Sequence, residues 1–283
     1  MAVVIAMGGL RVYLGSCLGN CTCIRVGDCH AYRRTRTIHQ SMKNATQMAS
    51  SPSRSFELEA QLCQVLTRQV LSALGISRPV TMLGEVQVGF VIPDLVFVCS
   101  ATAPEQPRFE FTGFESWIIA DLLRARARRS ETLAERIFAR PERTAEALRR
   151  LERRGVVHRS SRAAFMLRDW FPRESEVFAV EAKLARWRDA VDQAAEYLGF
   201  ANRSYVALPT ETIDRSDAIL RACKKRGLGL LSVSPDGVGL VRDSPLHHTS
   251  SPGWVWLVGR ALSQSQPTEP MQRQVRSATL AGG

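Results

Sequence analysis

The feature that most constrains the fold of this 283-residue chain is a change of pattern in its middle. On both sides of residues 114–170, short segments rich in Val, Ile and Leu alternate with segments of helical spacing. Residues 114–170 instead show helical segments followed by two short extended ones. Alternating strands and helices predict an α/β fold with a mixed sheet. We interpret the different block as a module inserted into that fold.

The segments outside the insert predict the order helix, strand, strand, strand, helix, strand, helix, strand, strand. The first helix begins near Phe56 with Ser55 as its N-cap, and its leucines and valines recur at helical spacing up to Gly75. Its successors are strands 82–88 and 92–99, expected to form a hairpin, then strand 177–183, helix 185–202, strand 204–208, helix 214–226, and strands 228–234 and 238–242.

Five parts make up the predicted domain organisation. Residues 1–54, rich in Ser, Thr, Arg and Gly, are expected to be a poorly ordered N-terminal extension. Residues 55–113 and 171–245 form the two parts of the core, and residues 114–170 form the insert. Residues 246–283 are expected to be a largely disordered tail, because Ser, Pro and Gln dominate them.

Four cysteines crowd the first thirty residues and are followed directly by His30. Their spacing, C-x3-C-x-C-x5-C-H, lacks the paired C-x2-C of structural zinc sites. A zinc site there is therefore an alternative to an extension without metal. Cys63, Cys99 and Cys223 lie singly in apolar segments, which is typical of reduced core residues and favours a cytoplasmic protein.

Positive charge is concentrated in the insert. The stretch from Arg124 to Arg168 contains fourteen arginines and five glutamates, 14 − 5 = +9, against a formal net charge of +11 for the whole chain. Such a segment favours an anionic partner, of which nucleic acid is the commonest. No run approaches the roughly 18 apolar residues needed to span a bilayer, so a membrane partner is not expected.

Two of the apolar strands carry charged residues. Glu181 and Lys183 are two apart on strand 177–183, so their side chains leave the same face, roughly 7 Å apart along the strand. Asp94 stands in the otherwise apolar run 92–98. Burying these groups costs free energy unless they contact one another or a metal. The pattern predicts a reactive site, with a structural ion pair between Asp94 and Lys183 as the alternative.

Pro93-Asp94 and Glu181-Ala182-Lys183 resemble the signature of the PD-(D/E)xK, restriction-endonuclease-like nucleases, which have P-D on one strand and (D/E)-x-K on the next. The order helix, hairpin strand with P-D, strand with E-x-K, helix, strand also resembles the core of that superfamily. The likeness covers about residues 56–242 without the insert. The helix after Lys183 carries Gln193 and Tyr197, similar to the Q-x-x-x-Y helix of several branches.

The resemblance implies a role for each residue of the signature. Asp94 and Glu181, with the backbone carbonyl of Ala182, hold Mg2+ or Mn2+ through oxygen. That ion polarises the scissile phosphate and acidifies a water molecule. Lys183 orients the water and stabilises the developing negative charge.

Two further catalytic candidates come from the flanking helices. An acid on the first helix often completes such sites, and Glu59 is the candidate, with Glu57 and Glu85 as substitutes. A favourable interaction with the helix dipole is the structural alternative for Glu59. Gln193 is the second candidate, and a solvent-facing helix position is its alternative.

Within the insert, helices 130–138 and 141–154 and the extended pair 156–159 and 164–167 follow a first helix, 115–126. This arrangement resembles the winged-helix domain of bacterial regulators, whose recognition helix closes with L-x-x-L-x-x-x-G-hydrophobic, matched here from Leu148 to Val156. Ala145, Leu148 and Leu151 are expected to face the core. The candidate DNA-binding residues are Arg143, Thr144, Ala147, Arg150, Arg154 and Arg159.

The two resemblances together imply a Mg2+-dependent DNA endonuclease guided by a winged-helix insert. Three alternatives stay open for the insert: binding to protein, a homodimer interface, or an arginine-rich face that is only solvated. For the core, the alternative is a catalytically inactive nuclease fold that serves as a DNA-binding regulator.

Overall fold

The computed structural model of the chain describes residues 56–100, 110–125, 127–160 and 163–264, together with two short strands near the N-terminus. The chain divides into two units, Met1–Pro52 and Ser53–Gly283. In the first unit, strands β1 (Ala6–Met7) and β2 (Leu10–Arg11) pair antiparallel. The predicted extension and the zinc alternative otherwise lie outside the described residues.

The second unit contains, within its described residues, eight helices and eight strands. None of these helices is long and apolar enough to cross a membrane. The strands are β3 (Val80–Gly84), β4 (Leu95–Cys99), β5 (Val157–Arg159), β6 (Phe165–Leu167), β7 (Glu176–Ala182), β8 (Arg203–Pro209), β9 (Gly229–Ser234) and β10 (Gly237–Arg242). The helices are α1 (Glu59–Ala73), α2 (Gly113–Arg124), α3 (Ser130–Arg136), α4 (Pro141–Arg153), α5 (Trp187–Tyr197), α6 (Thr210–Asp214), α7 (Asp217–Arg226) and α8 (Pro252–Gln264).

Six of the strands form one mixed sheet in the order β10-β9-β8-β7-β4-β3. β7, β8 and β9 run parallel, whereas β3, β4 and β10 pair antiparallel with their neighbours. The predicted α/β class and the hairpin of β3 with β4 are confirmed. One predicted helix, 214–226, is present as two, α6 and α7.

The two faces of the sheet are covered by different elements. In β4, Leu95 and Phe97 pack under α1, whereas Val96 and Val98 face the opposite side, because successive strand residues alternate between faces. α1 presents Leu62, Leu66 and Val70 to the first face at helical spacing. The second face packs against buried residues of α5, α7, α8 and the insert.

The segment between β4 and β7 leaves the sheet and returns to it at neighbouring positions. Cys99, the last residue of β4, pairs with Glu176, the first of β7. Yet Leu133 and Leu148 of the segment belong to the same buried cluster as Val98 of the sheet and Trp254 of α8. The insert therefore shares the main core, and the shared core argues against its folding alone.

The predicted disordered tail is wrong for its first part. Helix α8 buries Trp254, Leu257 and Val258 against the second face of the sheet. Trp254 also donates its indole N–H to Asn202 Oδ1 at 2.8 Å. The prediction failed because serine and proline dominate the segment before the helix and its apolar run is short. The sheet residues that bury this run are distant in sequence. Residues after Gln264 lie outside the described part.

Candidate active site

The register between β4 and β7 brings Asp94 to Glu181. Leu95 pairs with Val180 in an antiparallel ladder, so the residue before Leu95 lies opposite the residue after Val180. The backbone N–H of Ala182 donates a hydrogen bond to Asp94 Oδ2 at 2.8 Å. Two residues 87 positions apart thus meet at one end of the sheet through backbone pairing alone.

Glu181 is buried, with 2% of its surface exposed, and both of its carboxylate oxygens have partners. Lys183 Nζ lies 2.9 Å from Glu181 Oε1. The hydroxyl of Tyr197, on the buried side of α5, donates to Glu181 Oε2 at 2.5 Å. Glu181 and Lys183 therefore lie on one face, as their spacing predicts.

A third carboxylate approaches from the first turn of α1. Glu59 Oε2 lies 3.7 Å from Lys183 Nζ, and Glu59 Oε1 accepts a hydrogen bond from the N–H of Leu184 at 3.5 Å. Its side chain is 47% exposed. Glu57 and Glu85, the predicted substitutes, are exposed and form no ion pair with Lys183.

Burial dominates the electrostatics of the two strand-borne acids. It raises the pKa of Glu181 and of Asp94 above their ordinary values, partly offset by hydrogen bonds from Tyr197 and from the Ala182 N–H, respectively. Burial lowers the pKa of Lys183, but the hydrogen bond and charge of Glu181, with the charges of Asp94 and Glu59, outweigh it and raise that pKa overall. Lys183 is therefore a cation at neutral pH.

Cys63 lies one turn after Glu59 on α1. Burial, together with the negative charges of Asp94 and Glu59, raises the pKa of its thiol to about 11. The thiol is therefore neutral at physiological pH and is a poor nucleophile. We assign it no part in the chemistry.

The donor atoms of the site suit a hard divalent cation. Carboxylate oxygens are the ligands that Mg2+ prefers, and each oxygen can accept a hydrogen bond and still bind a metal, because it has two lone pairs. Within the described residues, however, no three His, Cys, Asp or Glu side chains are grouped closely enough to form a ready ligand set. Lys183 contacts both Glu181 and Glu59. A metal ion can bind these carboxylates only if the Lys183 ammonium group moves away from them.

The structure places Ala182 at the site and Gln193 away from it. Ala182 is buried and uses its N–H for Asp94, which places its backbone beside the acids. Gln193 is exposed and forms no hydrogen bond with Asp94, Glu181 or Lys183. Sequence reasoning noted Tyr197 four residues later but gave it no role, and Tyr197 is the residue of α5 that reaches Glu181.

In the insert, the predicted DNA-binding face of α4 is wrong at two positions. Thr144 and Ala147 are fully buried, and Thr144 Oγ1 donates to the carbonyl of Arg140 at 3.2 Å. Ala145, predicted to face the core, is only half-buried. Relative to the prediction, α4 is turned about its axis, because Thr144 and Ala147 join Leu148 and Leu151 on the packed face.

Several insert arginines are neutralised by two buried acids of α2. Glu115 lies 3.5 Å from Arg150 and 3.1 Å from Arg154. Asp121 lies 3.2 Å from Arg128 and 2.6 Å from Arg136. Glu115 and Asp121 lie before Arg124, so the charge count over Arg124 to Arg168 did not include them. That count therefore overestimated the number of arginines available to a partner. The sequence pattern Thr112-x-x-Glu115 is a capping box and could have indicated that Glu115 has a structural role at the start of α2.

Two other arginines predicted to bind DNA also contact residues of the chain itself. Arg159 pairs with Glu152 at 3.4 Å, and the Arg143 guanidinium lies 4.2 Å from the centre of the Phe114 ring. Arg143 is nevertheless exposed. Arg149 and Arg153, which the sequence did not single out, are exposed on α4 and form no ion pair with any described residue.

No protein-family profile and no curated protein matches the chain. A protein of unknown function from Silicibacter pomeroyi matches with 21% sequence identity and a TM-score of 0.24, over 31% of this chain and 56% of that one. The chain thus spans about half the length of that protein.

Proposed function

We propose that the chain is a Mg2+- or Mn2+-dependent nuclease of the PD-(D/E)xK class that cleaves DNA in the cytoplasm. The observation that carries the proposal is the meeting of Asp94, Glu181 and Lys183 at one end of the sheet, with Glu59 beside them. Acidic side chains at buried or half-buried positions with a single nearby cation are costly for stability, and such clusters are concentrated at functional sites. The order α1, β3, β4, β7, α5, β8 also supports it, because the resemblance implies that order.

The side chains divide the work. Asp94 and Glu181 would hold the metal, with Glu59 or the carbonyl of Ala182 as a further oxygen ligand. The chemistry that a bound Mg2+ or Mn2+ would supply there is polarisation of the phosphate and acidification of a water molecule. Lys183 remains protonated, so it donates a hydrogen bond to a phosphate oxygen or to the water and does not act as the base.

Tyr197 acts through Glu181. Its hydroxyl fixes one carboxylate oxygen, which limits the rotation of the side chain while Lys183 or a metal binds the other. Burial raises the pKa of the Tyr197 hydroxyl above its ordinary value, so the hydroxyl is not ionised at neutral pH and donates a hydrogen bond. We therefore treat Tyr197 as a positioning residue.

The insert supplies DNA contacts in this proposal, through a revised set of residues. Arg143, Arg149 and Arg153 are exposed on α4 and are suited to phosphate contacts. Arg150 and Arg154 hold Glu115 instead. The helix pair α3–α4 with the β5–β6 hairpin supports the proposal by its likeness to a winged helix.

The test is cleavage of supercoiled plasmid DNA in the presence of Mg2+ or Mn2+. We expect Lys183→Ala and Asp94→Asn each to lower the rate by at least about 100-fold, since each removes a group that acts on the developing charge or its metal. Glu57→Gln, a neighbouring exposed acid without contact to Lys183, is the matched control and should keep full activity. Wild-type rates in either site variant, with a normal circular dichroism spectrum, would refute the assignment.

The second candidate is a DNA-binding protein without catalysis. It is favoured by the absence of a ready three-ligand group among the described residues and by Lys183 lying between Glu181 and Glu59. This candidate predicts salt-dependent DNA binding with no cleavage under any divalent ion. The same purified protein therefore distinguishes the two.

A further inference from the structure

Three large apolar side chains that are close in sequence to the candidate site residues are exposed. Leu58, 61% exposed, directly precedes Glu59; Ile92, 57% exposed, is two residues before Asp94. Phe90, four residues before Asp94, is 100% exposed. A third of the nine exposed large apolar residues in the described part therefore lie within four residues of a proposed metal ligand.

Phe90 is held at the tip of a tight turn. The N–H of Val88 donates to the carbonyl of Val91 at 2.9 Å, and the N–H of Val91 donates back to Val88 at 3.3 Å. Gly89 has a φ of +64°, which a residue without a side chain adopts easily. The amide of Gln87 donates to the carbonyl of Gly89 at 3.1 Å and closes the turn further.

The base of the turn is anchored in the core. Val88 is buried, and its side chain lies close to Gly253 at the start of α8, where an added Cβ would come within 3.0 Å of it. Val86 and Pro93 are also buried. The Phe90 ring is thus fully exposed on a backbone that has little freedom left to lose when a ligand binds.

We propose that Phe90 stacks on an unpaired nucleobase next to the scissile phosphate, so that the substrate has single-stranded character where it is cut. This inference rests on the proposed nuclease function. Phe90 and Asp94 are four residues apart, so their Cα atoms are separated by at most about 14 Å, which is the length of about four stacked nucleotides. Lys183 and the metal would bind the phosphate, and Phe90 and Ile92 the adjacent base.

The chemistry of the exposed ring selects this occupant. The outside of an intact duplex near a phosphate is charged and hydrated, and its base faces are covered by stacking, so a phenyl ring gains little there. An unpaired base offers an open π-face, and stacking on an aromatic side chain is tolerant of sequence. A frayed end, an overhang or a single strand therefore fits better than a continuous duplex.

The test is equilibrium binding of three oligonucleotides of equal length, a single strand, a forked duplex and a blunt duplex, to the full-length chain. All measurements use the Lys183→Ala background, so that binding is read without cleavage. We expect Phe90→Ala to weaken binding to the single strand and the fork about tenfold, with binding to the blunt duplex within about twofold of the parent. Phe90→Trp should restore it, and Leu220→Ala, which removes an exposed side chain on α7, should have no effect.

Each other outcome overturns the inference. An equal loss on all three DNAs would make Phe90 a general contact, and no loss on any would remove it from the interface. If Phe90→Ala left DNA binding unchanged but converted a dimer to a monomer in size-exclusion chromatography, the exposed residues would be a homodimer contact. Failure of the wild type to cleave DNA would refute the nuclease proposal separately, because the binding assay does not depend on turnover.

Discussion

The chain buries acidic side chains in two regions that balance them differently. In the insert, Glu115 and Asp121 on α2 are each contacted by two arginines. At the end of the sheet, Lys183 pairs with Glu181 and Glu59, whereas Asp94 accepts a hydrogen bond from the Ala182 N–H and forms no ion pair with a described residue. One region has more cations than buried acids, and the other has fewer.

The difference separates a structural use of buried charge from a functional one. An acid with two arginines has its charge compensated and its oxygens occupied, so it stabilises the packing of α2 against α3 and α4. Asp94 and Glu181 have only Lys183 as a nearby cation and remain under-compensated, and burial raises their pKa. Such a site has capacity for another cation, which is what a metal-dependent reaction requires.

The largest effect should come from removing a compensated acid. Glu115→Ala leaves Arg150 and Arg154 without their shared partner and removes the capping box of α2, so we expect the free energy of unfolding to fall by about 3 kcal/mol. Asp94→Asn should change it by less than about 1 kcal/mol, or raise it, because the variant removes a charge that burial disfavours. Urea unfolding of both variants beside the wild type measures this. Equal losses would mean that the two regions serve the same purpose.

The second effect is an opposite response of stability and metal binding to pH. The raised pKa values of Asp94 and Glu181 mean that their ionisation costs folding free energy, so this contribution to stability falls as pH rises from the ordinary carboxyl range through the raised values. Metal binding needs the ionised forms, so affinity should rise over the same range, by up to about tenfold per pH unit for each acid. The contribution of Lys183 to stability is full below its ordinary pKa of 10.5 and is lost as pH rises from there through its raised pKa, so it does not enter this range.

Mn2+ binding followed by electron paramagnetic resonance from about pH 5 to about pH 8 tests this, with Glu181→Gln as the variant that should lose part of the pH dependence. The carboxyls have ordinary pKa values of 3.8 for Asp94 and 4.5 for Glu181. An affinity that stays constant across this whole pH range would show that the two acids titrate at their ordinary values and are not under-compensated.

The smallest effect concerns arginines that differ in their partners. The logarithm of DNA affinity falls linearly with the logarithm of salt concentration. Arg149→Ala and Arg153→Ala should each make this slope less steep by about 1, because each removes one exposed cation from α4. Lys224→Ala, an exposed cation on α7, is the control and should leave the slope unchanged. Arg154→Ala should instead lower stability, because its guanidinium holds Glu115. If Arg154→Ala changes the slope and Arg149→Ala does not, α4 presents a different face to DNA.

Local patterns predicted the elements and much of the sheet site. The sequence predicted the hairpin, the E-x-K strand and the helix that follows, because alternation and helical spacing depend on neighbouring residues. The common face of Glu181 and Lys183 follows from the same two-residue period. Glu59 was selected because the resemblance implies an acid on the first helix, and it lies beside Lys183.

Predictions that required the packing of distant segments were less successful. The inward face of α4 was misjudged at Thr144 and Ala147, because a helix with several small residues has more than one plausible packed side. The pairing of Glu115 with Arg154 spans 39 residues and is not visible in local charge counts. Helix α8 was missed because its burial partner is the second face of the sheet.

The sequence by itself determined which segments become strands and helices, and it determined that one acid and one lysine share a strand face, since both depend on backbone geometry over a few residues. Only the tertiary structure decided that Asp94 meets Glu181 through the β4–β7 register, that Tyr197 fixes Glu181, and that three of the four arginines predicted to bind DNA form internal ion pairs. Hydrogen bonds and ion pairs form over a few ångströms, and chain distance does not set which groups come that close. The register of the sheet and the packing of α2 against α4 set it here.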